Sequence, residues 1–418
     1  MNHSEMRRAL AAGAAATAIC LLTSACGGGG PAAGGGKISG DKVTLGVVTD
    51  LSGVYASLTG PGAVEAVKMA ADDYKKKYGD KAVAKNIEVL SADHQNKPEV
   101  ASTKARELYD RKSADALFDV PTSSAALAVQ TIAGQSRKMY FNVGAATPEL
   151  TGKACNPYTY AWAYDAYMLA HGTGATVTTE GAKDWYLIYP DYAFGEAMSS
   201  GFEASIKAAG GRVVKKDPTP FPNDNFSTFL LKAKSTKPKP QVLGVMHAGG
   251  DLVNAVKQYD QFKLKQQGIG LALGLISDTD IASIGADKLE GAKFTTAWWW
   301  NKDDRTRAFA DEFKERTGKR PSFDHAGNYS AATQYLEAIQ RAGTDDPDKV
   351  RGELDGMTFS DVFAQNATVR EGDHRVTHDA YLAQVKKPGT EPTDTTELVR
   401  TIPAAEAFAP VSKDCKLS

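Results

Sequence analysis

Ser123 and Ser124 stand directly before the run Ala125–Ile132, which carries helical spacing. Serine in that place caps a helix, and a capped N-terminus offers N–H donors at the positive end of the helix dipole. The chemistry open to such a pair is anion capture; the same residues also act as plain caps in proteins that bind nothing. Further polar, Gly-rich and aromatic loops are Asp50–Tyr55, Asp119–Ser124, Asn142–Ala146, Tyr189–Phe194, His247–Asp251 and Ser277–Asp280. Covalent chemistry has no recognisable foothold in them. The chain contains no G-x-S-x-G, H-E-x-x-H or Walker motif, and Gly172-Thr173-Gly174 is too short for a dinucleotide fingerprint. His374 and His378 are four residues apart, which suggests a metal pair. Their surroundings, Ala367–Arg370, Glu371-Gly372-Asp373 and Arg375–Val385, read instead as a hairpin with both histidines on one solvated face. His247 closes a strand and is either a cleft residue or an ordinary loop histidine. Asp50, Asp119 and Asp278 would cap or orient loops. No metal and no cofactor is expected.

These loops need elements to position them, and the chain supplies an alternation. Strands are expected at Val43–Val47, Ile87–Leu90, Ala116–Phe118 and Met139–Phe141, with helices over Val64–Tyr74, Pro98–Tyr109 and Ala125–Ile132. The rhythm repeats with strands at Trp185–Ile188, Val213–Val214, Val242–Met246 and Leu271–Leu275, and helices over Glu196–Ala208 and Leu252–Phe262. Alternating strands and helices imply parallel sheets covered by helices, and two such runs imply two doubly wound lobes. Ligands of open α/β sheets bind beyond the carboxyl ends of the strands, where the polar loops lie. The composition is that of a globular protein: 42% hydrophobic, 24% charged, net charge -1. Nothing in it suggests a nucleic-acid surface or a polybasic membrane patch.

The N-terminus carries a different message. Arg7 and Arg8 precede the apolar run Ala9–Leu22, which is too short for a membrane span and reads as a secretory signal. Thr23-Ser24-Ala25-Cys26 follows and resembles a bacterial lipobox, although Thr23 stands where Leu is favoured. That resemblance makes Cys26 the lipidated residue; an ordinary signal with a chance cysteine is the alternative. Cys20, after Ile19, fits less well. A Gly- and Ala-rich tether then leads to the body. Cys155 and Cys415 remain, an even pair in an oxidising compartment, and are expected to form a disulfide tying the tail to the body. Two unpaired thiols are the alternative.

Leu45-Gly46-Val47-Val48-Thr49-Asp50-Leu51-Ser52-Gly53 through Gly60-Pro61-Gly62 resembles the opening of the Leu/Ile/Val-type substrate-binding proteins of ABC importers. Pro121–Ser124, Gly144–Thr151 and Asp191–Gly195 are similar to that family too, and the likeness runs from about Lys42 to Pro410. The resemblance implies an α/β type I periplasmic-binding-protein fold, with two doubly wound parallel-sheet lobes joined by three crossover strands. The implied boundaries are a signal at 1–25, a tether at 26–41, an N-terminal lobe from 42–164 and 299–378, and a C-terminal lobe from 165–298 and 379–418. A monomeric, extracytoplasmic solute receptor is implied, not an enzyme. It would touch the membrane through its N-terminal lipid only and deliver solute to a cognate ABC permease. A sensing domain for a signalling partner is the second reading, and a secreted enzyme the third.

The resemblance also implies site residues. A carboxylate would sit on Ser123, Ser124 and the backbone of Gly144, Ala145 and Ala146, with Tyr55, Tyr192 and Phe194 at the cleft. Ala146 stands where amino-acid binders carry a Thr for the α-ammonium, and Ala248 or Gly249 takes the place of a second-lobe aromatic. Asp278 would supply a counter-charge. Tyr164 and Trp299, near the expected crossovers, would stack on a flat solute or else fill the hinge core. The combination is more similar to members that take up aromatic acids such as benzoate, with amino acids second.

The anchoring expectation has a direct check. Cys26→Ser should move the protein from the membrane fraction of cells to the soluble extracytoplasmic fraction. Retention in the membrane at the wild-type level would assign the anchor elsewhere.

Overall fold

The structure is a computed structural model that describes residues 38–389 and 392–417. The expected signal, with Cys26, lies outside the described residues. The first sheet holds β1 (Val43–Thr49), β2 (Ile87–Asp93), β3 (Ala116–Asp119), β4 (Met139–Asn142) and β5 (Thr159–Ala161), all parallel in the order β2-β1-β3-β4-β5. Every residue of β1, β3 and β4 is buried, as a parallel strand covered by helices on both faces requires. On one face the Gly60–Tyr78 helix packs against the Phe323–Ala342 helix. Tyr74 on the first donates to Gln340 on the second at 2.5 Å. The Pro98–Arg106 and Ser123–Ser136 helices pack together and bury Ala101, Ala105, Ala125 and Val129 with Leu117 and Tyr140 of the sheet.

The second sheet holds β6 (Asp184–Pro190), β7 (Arg212–Thr219), β8 (Val242–Val245) and β9 (Gly270–Leu273), parallel in the order β7-β6-β8-β9. Then come β10 (Lys293–Thr296) and a small antiparallel sheet of β11 (Thr358–Phe359), β12 (Ala367–Val369) and β13 (Val376–Thr377). β14 (Ala380–Val385) and β15 (Thr396–Ile402) join β10 in a third, antiparallel sheet. In each parallel sheet the first strand lies between its successors, so the connections leave in opposite directions. These are the switch points beside β1 and β3, and beside β6 and β8, where crevices open in doubly wound sheets.

The chain passes between the two halves after β5, after β10 and after β13. Two of these passages are tied together by buried polar contacts. The Arg375 guanidinium donates to the Tyr164 carbonyl at 2.9 Å and lies 3.3 Å from the Asp165 carboxylate. His378 Nε2 meets the Ala163 carbonyl at 2.8 Å. The solvated histidine face expected from the hairpin is therefore corrected: His374 and His378 are 2% and 1% exposed. A bridge between Ala161 and Arg375 folds the hairpin end onto β5, where His374 stacks on Tyr160 at 4.4 Å. A second correction concerns the helix start. The helix begins at Ser123 itself, with Thr122 at the N-cap position, so neither serine is the cap. The Thr122 hydroxyl donates to Asn96 instead. Cys155 and Cys415 are bonded, with Cα atoms 5.5 Å apart, so the tail ends on the first lobe beyond β4.

Candidate functional site

Asp50, at the end of β1, builds the first wall of the cleft. Its carboxylate accepts the Gly53 N–H at 2.6 Å, the Tyr55 N–H at 2.8 Å and the Asn96 amide at 2.6 Å. This wraps residues 51–55 into a fixed loop and carries Tyr55 to the opposite lobe. There the Tyr55 and Tyr192 hydroxyls lie 2.5 Å apart, and Tyr55 stacks on Phe221 at 5.7 Å. Beside them the Gly250 N–H donates to the Val54 carbonyl at 2.8 Å. Gly249 has φ +54, and a Cβ there would lie 2.2 Å from the Val54 oxygen. The two walls are therefore in contact, and Tyr55 is only 3% exposed. Burial raises the proton affinity of both tyrosine hydroxyls, so each stays a neutral donor and acceptor.

The first-lobe floor lies behind Tyr55. Ser123 is fully buried at the start of its helix, and its hydroxyl has no hydrogen-bond partner. Ser124, next to it, is half-buried. The Gly144–Ala146 loop is fixed from three sides. Asn142 Nδ2 donates to the Ala145 carbonyl at 2.9 Å, Tyr164 to Gly144 at 2.5 Å, and the Ala166 N–H to Ala146 at 2.9 Å. A Cβ on Gly144 would lie 2.7 Å from Pro121, so the two loops touch through backbone. Asp119 and Val120 have φ of 78° and 66°. A β-branched residue there is strained, and such strain clusters at binding sites.

Sequence reasoning gave Asp119 only a loop-orienting role and missed Asp324. Asn328 Nδ2 donates to Asp119 Oδ1 at 3.2 Å, and Asp119 Oδ2 has no partner. Asp324 is fully buried, and neither of its oxygens has a partner. Burial pushes the Asp119 carboxyl up to about 6. The Asp324 carboxyl is held well above the usual carboxylate range, first by burial and then by Asp119 and Asp280. Asp324 follows Ser322-Phe323 at the start of a helix, where an acidic residue ordinarily answers the helix dipole. That pattern gave no hint of a site.

The second lobe supplies Tyr192, which is 4.4 Å from Phe221 and 6.0 Å from Phe194 between ring centroids. Ala248 is the N-cap of the Gly249–Gln261 helix. In its first turn Asp251, pushed up to about 7 by burial, accepts the Asn223 N–H at 3.0 Å. His247 faces Thr219 at 2.8 Å and lies edge-on to Phe226 at 5.0 Å. Burial lowers it to about 3, so it is a neutral histidine of the lobe core. Asp278 sits apart from the serines: it lines a cavity of about 490 Å³ at the margin of the lobes, together with Ser57 and Arg320. Trp299 donates its indole N–H to Thr396 at 3.0 Å, which places it against β15. Thus Tyr55, Tyr192 and Gly249 meet directly, and Gly144 and Tyr164 are joined by a hydrogen bond on the floor. Asp278 and Trp299 are held on other elements.

Residues 42–390 match the Periplasmic binding protein family, and the chain belongs to it. A periplasmic binding protein from Burkholderia mallei has a TM-score of 0.84 to this structure and 40% identity, covering 88% of this chain and 96% of that one. A branched chain amino acid ABC transporter periplasmic ligand-binding protein from Burkholderia xenovorans has a TM-score of 0.77 and 35% identity, covering 88% and 97%. Among curated proteins, Leu/Ile/Val-binding protein homolog 6 of Brucella melitensis is 25% identical over 354 residues, 83% of this chain and 88% of its own. The family works outside the cytoplasm, binds small solutes for ABC permeases and does not turn them over. The type I fold with its two parallel-sheet lobes is the one present here. Among the described residues no helix is long and apolar enough to cross a membrane.

The contact between the walls generates a prediction. Gly249→Ala adds a Cβ against the Val54 carbonyl at a left-handed backbone position, so it opposes the closed arrangement. Solute affinity measured by calorimetry should fall at least tenfold while the unliganded protein keeps a cooperative melt. Unchanged affinity would show that the contact is dispensable.

Proposed function

We propose that this chain captures a small organic carboxylate between its lobes and delivers it to an ABC permease, with an aromatic acid favoured and an amino acid second. The observation that carries the reading is the Ser123 hydroxyl, fully buried without a partner at a helix N-terminus. A buried hydroxyl left unpaired is costly, and a solute carboxylate would be its acceptor. The first N–H groups of the helix would add donors to the same anion. The Tyr55–Phe221–Tyr192 stack supports an aromatic body, since flat rings pack well against such walls. Closure would follow from the solute's preference for the closed arrangement, and docking on the permease would reverse it. Lipid on Cys26 would hold the protein at the membrane beside that permease.

Ser123→Ala tests the reading. Loss of a hydrogen bond to a charged group costs about 1.5–3 kcal/mol, which is roughly one to two decades in dissociation constant. Calorimetry against benzoate, cinnamate, leucine and valine should show that loss for the solute that binds tightest. Tight leucine or valine binding with no response to the aromatic acids would move the chain to the amino-acid group. Full affinity in Ser123→Ala would remove the carboxylate from this helix.

A further inference from the structure

After β15 the chain crosses between the lobes a fourth time. β14 and β10 belong to the second lobe, where Phe294, Ala383 and Val385 share a core with Leu273 and Ile276. Cys415, a few residues beyond β15, is bonded to Cys155 on the first lobe. The run between them lies on the hinge. The Ala404 N–H donates to the Asp379 carboxylate at 3.1 Å, directly after the third passage. The short helix Ala404–Ala407 packs against β13 and the Ala166–Leu169 helix. Phe408, only 4% exposed, lies edge-on to His378 at 5.2 Å, and the Arg375 guanidinium stands 5.5 Å from its ring centroid. His378 and Arg375 are the residues that tie the third passage to the first. Phe363 meets the His378 ring at 4.8 Å as well, so aromatic rings shield the His378–Ala163 bond from water. A hydrogen bond so shielded is stronger than one in contact with solvent.

Beyond the hinge, Arg370 Nη1 donates to the Ala409 carbonyl at 2.8 Å while its Nε donates to Asp373 at 2.8 Å. A Cβ on Gly372 would lie 3.1 Å from Val411, so the tail crosses the hairpin turn at close range. The anchor at its end is firm. Gln130 Nε2 donates to the Leu150 and Ala154 carbonyls at 3.0 and 2.8 Å, and the Asn156 amide donates to the Gln130 carbonyl at 3.0 Å. Cys155 is thus fastened to the helix that starts at Ser123. C-terminal tails fray unless tied down. A cross-link lowers the entropy of the released chain and so keeps the tail docked.

We propose that residues 403–415 form a strap: a fourth, covalently anchored connection between the lobes that seats Phe408 on the hinge and stiffens the three passages. The strap acts whatever the solute is. Its test is hydrogen exchange of the unliganded full chain, read by mass spectrometry over residues 159–166 and 373–380. The Ala161 N–H, held by the His374 carbonyl at 3.1 Å, is one reporter of the passages. In Cys155→Ser/Cys415→Ser, exchange in both segments should be at least tenfold faster than in the wild type, with β1 and β6 at wild-type rates. Faster exchange confined to 152–158 and 404–415 would overturn the strap, since the disulfide would then fasten the tail alone. Phe408→Ala leaves the disulfide in place and should also speed exchange in the passages. If the double variant loses protection throughout, Phe408→Ala decides. Wild-type rates in its passages would overturn the strap in either case.

Discussion

The contact on which the rest of the structure depends is the meeting of Val54 with Gly249 and Gly250. A main-chain carbonyl from one lobe accepts a main-chain N–H from the other at 2.8 Å, with no side chain between them. So close an approach needs a residue without Cβ at Gly249, and it needs the loop after β1 to hold its shape. Asp50 provides that shape by accepting two backbone N–H groups and the Asn96 amide. Once the backbones meet, Tyr55 has one place to go, against Phe221 with its hydroxyl on Tyr192. Wall, lock and aromatic lining thus follow from one carboxylate and one glycine. Arg375 and His378 tie the first and third passages together.

The floor behind the lock has the opposite character. Protein interiors satisfy nearly all their polar atoms, yet here Ser123, Asp119, Asp324 and Asn328 keep unpartnered buried atoms at one strand end and two helix starts. The strained backbone at Asp119 and Val120 lies in the same place. On the proposed reading, a bound solute would supply the missing partners. In a two-lobed receptor this has a mechanical result. On the proposed reading, a solute that supplied those partners would favour the closed arrangement, and its binding energy would become closure.

The fold was legible because burial on both sides of a parallel strand writes a plain apolar code, as in Val43–Val47 and Met139–Phe141. The family motifs then added the two lobes. The expected strands at Ala116–Phe118 and Met139–Phe141 stop one residue early, because Asp119 and Asn142 are polar, while those at Val242–Met246 and Leu271–Leu275 run past the observed ends into apolar residues that the ladder does not include. The sequence reads Ser123 as a helix cap, whereas it lies inside the helix as its first residue. Thr122 occupies the N-cap position, and its hydroxyl bonds Asn96, distant in sequence, rather than the helix. Asp324 could not be found from sequence: a helix-start acid looks the same whether it faces water or the floor of a cleft. The same holds for His374 and His378, whose alternation suited an exposed hairpin until the bridge to Ala161 folded them inward. Local pattern sets elements; which side of an element another lobe covers is decided by contacts far apart in the chain.

The central claim is that solute brings these walls together. Ser57 and Ser283 are exposed, belong to opposite lobes and line the same marginal cavity. Cysteines at both positions can carry spin labels, and pulsed electron spin resonance reads the distance between them. In the absence of solute the distance distribution should be broad or double. Saturation with a solute that calorimetry shows to bind should collapse it to one short distance. A distribution that does not move on saturation would contradict the account, since binding would then occur without the closure that Tyr55, Tyr192 and Gly249 define.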